Sequence, residues 1–171
     1  MLFRSIPNFE PQDILPKLAS LIRPKDFLLF SANLAPGKNY AAGVKKVLPQ
    51  YDNPPTRDWL MTFLLDLGVG KNDGKLNFTI EAGVGGLKRI VAWFQFTHTA
   101  RFAIESEAFV FRRGDSLRLF FSYRYTPALV RKHLARHGLI VLNQRITQSG
   151  EEGVFLVKRF LSNVAKEALK N

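Results

Sequence analysis

Residues 26–33, DFLLFSAN, decide the fold. An apolar run of this length, bounded by Pro24 upstream and by Ala35-Pro36-Gly37 downstream, suits a strand buried on both faces, and such strands belong to parallel sheets. Just before it, Ile14, Leu15, Leu18, Leu21 and Ile22 recur at helical spacing until Arg23-Pro24 stops them, with Asn8 placed to cap the helix. Earlier still, Leu2-Phe3 and then SIPNF read as a strand end turning into a loop. Strand, helix and strand make a β-α-β crossover, the unit that builds an α/β sheet.

Downstream the pattern changes. Residues 39–49 are weakly helical, Asn53-Pro54-Pro55 interrupts the chain, and Thr56–Leu67 predicts a helix capped by Thr56 with Trp59, Leu60, Phe63, Leu64 and Leu67 on its buried face. From 74 to 125 strands dominate: LNFTIEA, LKRIVAWFQF, ARFAIESEAFVF and SLRLFFSYRY, separated by short turns, predict an antiparallel meander. Thr126-Pro127 then opens a helix that Gly138 stops, the strands GLIVLNQRI and GVFLVKRF flank a QSGEEG hairpin, and 161–171 reads as a polar helical tail. The whole predicts an α/β sheet fragment interrupted by an α+β insertion.

With 171 residues, 46% of them hydrophobic, the chain can bury a core without covalent staples. It has no cysteine, which excludes disulfides, thiolate metal sites and cysteine nucleophiles. The apolar stretch of MLFRSIPNFEP is too short for a signal peptide and no segment approaches the ~18 apolar residues of a membrane span, so a cytoplasmic protein without membrane partners is expected. A net charge of +11 favours anionic partners, but the basic residues are dispersed in pairs such as Lys45-Lys46 and Arg112-Arg113.

Several constellations invite chemistry and are better read as structure. Gly83-Val84-Gly85-Gly86 follows a strand-like run but leads into another strand, where a phosphate-binding loop must open a helix; a hairpin turn is the simpler reading. His133 and His137 have metal-ligand spacing on a helix, yet Arg131, Lys132 and Arg136 surround them, which favours a solvated basic face. Glu105 and Glu107 lie on the same face of a strand by its period of two, and charge on an edge strand accounts for them. The aromatic strands lack any nucleic-acid-binding signature, so nucleic acid is not an expected partner.

The segment Phe3-Arg4-Ser5-Ile6-Pro7-Asn8-Phe9-Glu10-Pro11, the RPKDFLLFSAN strand, Tyr51-Asp52, FFSYRYTP and the closing GVFLV follow one another in an order that resembles the histidine-specific, S-adenosylmethionine-dependent methyltransferases of ergothioneine synthesis. That family carries G-[ST]-[ST]-I-G-N-[FL]-x-P at the end of its fourth sheet strand. Here both of its glycines are replaced, by Phe3 and Pro7. The resemblance implies that residues 1–34 and 122–171 form the C-terminal part of a Rossmann-like methyltransferase core. Residues 35–121 would be the substrate-binding insertion.

It further implies that Asn8 and Tyr51 hold an amino acid's carboxylate. The family's glutamate and serine, which contact the imidazole, fall on Phe120 and Ser122 of FFSYRY. A phenyl ring accepts no N–H hydrogen bond, and Ala92 stands where the family has a larger pocket-lining residue, so an amino acid other than histidine is implied. The family's cofactor site precedes everything in these 171 residues, so S-adenosylmethionine is expected of the complete enzyme and not of this chain alone, which is expected to be either a fragment or a split subunit whose partner, a second chain, supplies the N-terminal sheet strands. The rival expectations are a non-catalytic remnant or interaction domain, betrayed by an exposed apolar edge near Leu2 and Phe27–Phe30, and a basic nucleic-acid-binding module.

Overall fold

A computed structural model describes residues 2–3 and 6–160. The tail helix expected over 161–171 lies outside these residues. Strand β1 (Leu2–Phe3), helix α1 (Pro11–Leu21) and strand β2 (Phe27–Asn33) form the crossover, with Leu2 and Phe3 paired in parallel to Leu29 and Phe30. Asn8 does not cap α1. It belongs to a 3-10 turn, Ile6–Asn8, and the helix instead begins at Pro11 behind Glu10, whose backbone carbonyl accepts from the Asp13 and Ile14 amides. Pro11 has no N–H to satisfy and its φ suits a helix start, so the proline overrides the asparagine signal.

The sheet continues through a C-terminal hairpin, β8 (Leu139–Ile146) and β9 (Glu152–Arg159), in the order β1-β2-β9-β8. Only β1 and β2 are parallel; β9 runs antiparallel to both its neighbours. Helices α1 and α4 (Pro127–Ala135) cover the same face, where Leu18, Leu28, Phe30, Leu134, Phe155 and Val157 meet. The expectation that β2 is buried on both faces therefore fails. Its alternate residues Phe27 and Leu29 are 54% and 39% exposed, because both helices pack on one side of the sheet.

The intervening residues build the second unit. Helix α2 (Tyr40–Val47) is capped by Asn39, and α3 (Pro54–Asp66) by Asn53, whose side chain accepts from the Thr56 amide. Thr56 is thus inside α3. Leu60, Met61 and Leu64 form its buried face, while Trp59 and Phe63 are 65% and 58% exposed, a rotation of the helix that the aromatic pattern misstates. Strands β3 (Gly74–Ala82), β4 (Lys88–Phe96) and β7 (Ser116–Arg124) form an antiparallel sheet, with Gly83–Gly86 turning between the first two.

Residues 100–111 are not one strand but a separate hairpin, β5 (Ala100–Ile104) and β6 (Glu107–Phe111). Glu105 occupies the turn at φ 53°, so it shares no strand face with Glu107. Phe96, Phe111, Phe102 and Phe109 stack in succession at 4.6, 5.6 and 5.8 Å, joining this hairpin to the main sheet. The fold is mixed α/β, a partly parallel sheet interrupted in sequence by an antiparallel one. Among the described residues no helix is long and apolar enough to cross a membrane.

His133 is also not on a solvated face. It is 4% exposed and lies edge-on to Tyr125 at 6.2 Å, and among the described residues no cluster of three acidic or imidazole groups is placed to hold a metal.

Candidate functional site

The two sheets meet where β7 leaves the meander. Its continuation forms a parallel bridge, Leu34 to Tyr125, so that the end of β7 lies beside the carboxyl end of β2. In open α/β sheets ligands bind outside the carboxyl ends of the strands. Alternation along β7 sends Phe120, Ser122 and Arg124 to one face and Phe121 and Tyr123 to the other.

On the first face Ser122 is fully buried, and its hydroxyl oxygen accepts from Asn33 Nδ2 at 3.1 Å and from the Tyr51 hydroxyl at 3.4 Å. The same phenol oxygen accepts from Arg124 Nη2 at 2.5 Å. The Tyr51 ring lies 5.7 Å from that of Phe120, which meets Trp59 edge-on at 6.4 Å. Ala92 is directly opposite Phe120 across β4 and β7, wholly buried, so a methyl group is all that this wall offers beside the phenyl ring. The Tyr40 hydroxyl closes the end of the strand pair, donating to the Arg124 carbonyl and accepting from the Lys88 amide, both at 2.6 Å; burial raises its pKa.

Four of the residues singled out from the sequence, Tyr51, Ala92, Phe120 and Ser122, thus lie together. Asn8 is exposed in the turn after β1, a turn that packs against β2 and β7. Glu10, two residues on, accepts from Tyr123 on the opposite face of β7 at 2.6 Å and from Arg89 Nη1 at 2.7 Å. Arg89 also donates to Glu81 at 3.1 and 3.2 Å, and Glu81 accepts from Trp93 Nε1 at 2.7 Å. Burial and the Glu10 hydrogen bond push the Tyr123 hydroxyl up to about 12, so it stays a donor at ordinary pH.

Arg124 and Asn33 were not read as site residues from the sequence. The signal for Arg124 is its phase: in FFSYRY it alternates with Phe120 and Ser122, and an arginine on the inward face of a strand needs a reason. The Glu10–Arg89–Glu81 network joins positions up to 79 residues apart and has no local signature.

An open groove of about 420 Å³ continues from Phe120 along α3, lined by Trp59, Leu60, Phe63, Leu117 and Leu119. The described residues do not fit S-adenosylmethionine. β1 is followed by a 3-10 turn containing a proline, β2 by a loop with one glycine, and the glycine-rich turn at 83–86 opens a strand.

No family model matches the chain, and no curated protein matches it. Among solved structures it is similar to an S-adenosylmethionine-dependent methyltransferase from Clostridium acetobutylicum ATCC 824, at a TM-score of 0.40 and 11% identity over 94% of this chain and 58% of that one. It is also similar to the CcbJ methyltransferase from Streptomyces caelestis, at a TM-score of 0.38 and 9% identity over 91% and 53% of the two chains. The chain spans little more than half the length of either structure. Likeness at this level assigns no function.

Proposed function

We propose that this chain is the amino-acid-binding part of an S-adenosylmethionine-dependent N-methyltransferase, with residues 1–34 and 122–171 as part of its core and 35–121 as the substrate-binding insertion. One observation carries the reading: Tyr51, Phe120 and Ser122, matched to the family's substrate-binding positions by resemblance, converge at the carboxyl end of β2. Asn8 belongs to the same reading as a second contact from the turn after β1. The methyl acceptor is a neutral amino group, so the protein's work is to hold and desolvate it in line with a methyl donor, and no acid–base pair is required. Phe120 and Ala92 replace an imidazole site with an apolar one, which favours an amino acid with an apolar or aromatic side chain.

The cofactor and the strands that bind it lie outside the described residues in this reading, whether this chain is a fragment or one subunit of a split enzyme. Calorimetry with S-adenosylmethionine and S-adenosylhomocysteine tests this, first with the chain alone and then mixed with the product encoded immediately upstream. Binding in the mixture only is the expected result. Binding in neither sinks the proposal.

A second reading, a non-catalytic domain that docks on a partner, is favoured by the open face of the first sheet. There Phe27, Leu29, Ile140 and Leu142 are 39% to 54% exposed. The calorimetric result in the mixture separates the two readings, since docking alone brings no cofactor response.

A further inference from the structure

We propose that Arg124 is the anchor of a carboxylate-binding site, with Tyr51 and Ser122 as its flanking groups. Arg124 is 4% exposed, and among the described residues no carboxylate pairs with it. Its Nη1 donates to the carbonyls of Leu34 and Glu151 at 3.2 and 3.4 Å, and Nη2 to the Tyr51 hydroxyl at 2.5 Å, with the guanidinium carbon 5.1 Å from the centre of the Tyr51 ring. These neighbours solvate the cation but do not neutralise it. Glu151 offers Arg124 its backbone carbonyl, while its carboxylate accepts from Gln50 Nε2 at 2.9 Å.

Nε is buried and has no acceptor among the described residues. Nε and Nη2 form the edge of the guanidinium that presents two parallel N–H groups, the geometry that matches the two oxygens of a carboxylate. A buried ion left without a counter-ion is a costly arrangement, and an incoming anion relieves it. Tyr51 covers that edge from a loop between the 3-10 turn Leu48–Gln50 and α3. A carboxylate takes the place of the phenol oxygen on Nη2 and adds the bond to Nε, and the Tyr51 hydroxyl then donates to the anion.

The rest of the face sets the size of the ligand. Ser122 and Phe120 follow Arg124 at ~7 and ~13 Å along the strand. An acid held at Arg124 therefore directs its body over Ser122 towards the rings of Tyr51, Phe120 and Trp59. The choice of an amino-acid-sized acid rests on the function proposed above; the anion site does not.

The test compares 3-phenylpropionate with its neutral amide, 3-phenylpropanamide, by calorimetry or saturation-transfer NMR on the purified chain. The acid should bind at least ~10-fold more tightly than the amide, and its affinity should fall as pH drops through the carboxylic-acid range of about 4–5. Arg124→Met should weaken the acid roughly 10- to 100-fold and leave the amide unchanged, and Arg124→Lys, which keeps the charge without the fork, should fall between. Should Arg124→Met not fold, the acid–amide comparison on the wild-type chain decides alone. Equal binding of acid and amide, no binding of the acid, or a folded Arg124→Met chain that binds the acid as before overturns the proposal. Neither probe resembles the methyl donor, so acid binding without a cofactor response leaves the site standing while the methyltransferase reading falls.

Discussion

Replacing Arg89 by methionine tests what holds the turn bearing Asn8 against the second sheet. Among the described residues, Arg89 on β4 is the only cation paired with Glu10, which precedes α1, and Glu81 on β3, at 2.7 and 3.1 Å. The three side chains are 16%, 24% and 29% exposed, between a surface ion pair, worth ~0–1 kcal/mol, and a fully buried one, whose rupture costs ~3–5 kcal/mol. Arg89→Met leaves two carboxylates facing one another with only the Tyr123 hydroxyl and the Trp93 N–H as donors. A loss of about 3 kcal/mol is expected, read by urea denaturation as a lower midpoint at unchanged slope, or as a fall of ~6–12 °C in melting temperature. Glu10→Gln in the same background should return about 1 kcal/mol by removing one unpaired charge. A loss below ~0.5 kcal/mol would refute the reasoning, since it would place the cluster with exposed ion pairs that contribute nothing measurable.

Two further outcomes follow from single residues. His133 is buried and, by desolvation first and the Arg136 charge next, has its pKa lowered from 6.5. The unfolded chain therefore binds that proton more readily, so stability should be full above about pH 6.5, decline as pH falls below it and level off below the folded-state pKa; His133→Met should flatten this part of the profile. Gly43→Ala places a Cβ 2.3 Å from the Pro36 carbonyl oxygen. A substitution that usually stabilises a helix by up to ~1 kcal/mol should here destabilise by ~1–3 kcal/mol, measured by the same denaturation.

Much of the architecture was legible because its signals are local. The crossover, the helices after Asn39 and Asn53 and the C-terminal hairpin all announce themselves through apolar period, prolines and turn residues. What was misread depends on distant partners. Nothing in DFLLFSAN tells whether one or two faces of the strand will be covered, since that is decided by where α1 and α4 pack. Trp59 and Phe63 looked like core because aromatic residues usually are, yet α3 docks through Leu60, Met61 and Leu64. At the candidate site, Ser122 and Phe120 are singled out through resemblance alone, whereas Arg124 becomes conspicuous only when Glu151 is seen to give it a backbone carbonyl and its carboxylate to Gln50.

The position of β9 between β2 and β8 has a consequence for the order in which the molecule can be made. Phe27–Asn33 must wait for Glu152–Lys158, more than a hundred residues later, before its second edge is paired. At ~5–20 residues per second that interval on the ribosome lasts roughly 6–25 s, ample time for the meander, whose pairings are far closer in sequence, to fold first. The second sheet is then a finished body against which the first closes, and β2 spends its early life as a sticky strand in need of shelter. A strand that emerges late is thus the keystone of a sheet whose first strands are made more than a hundred residues earlier.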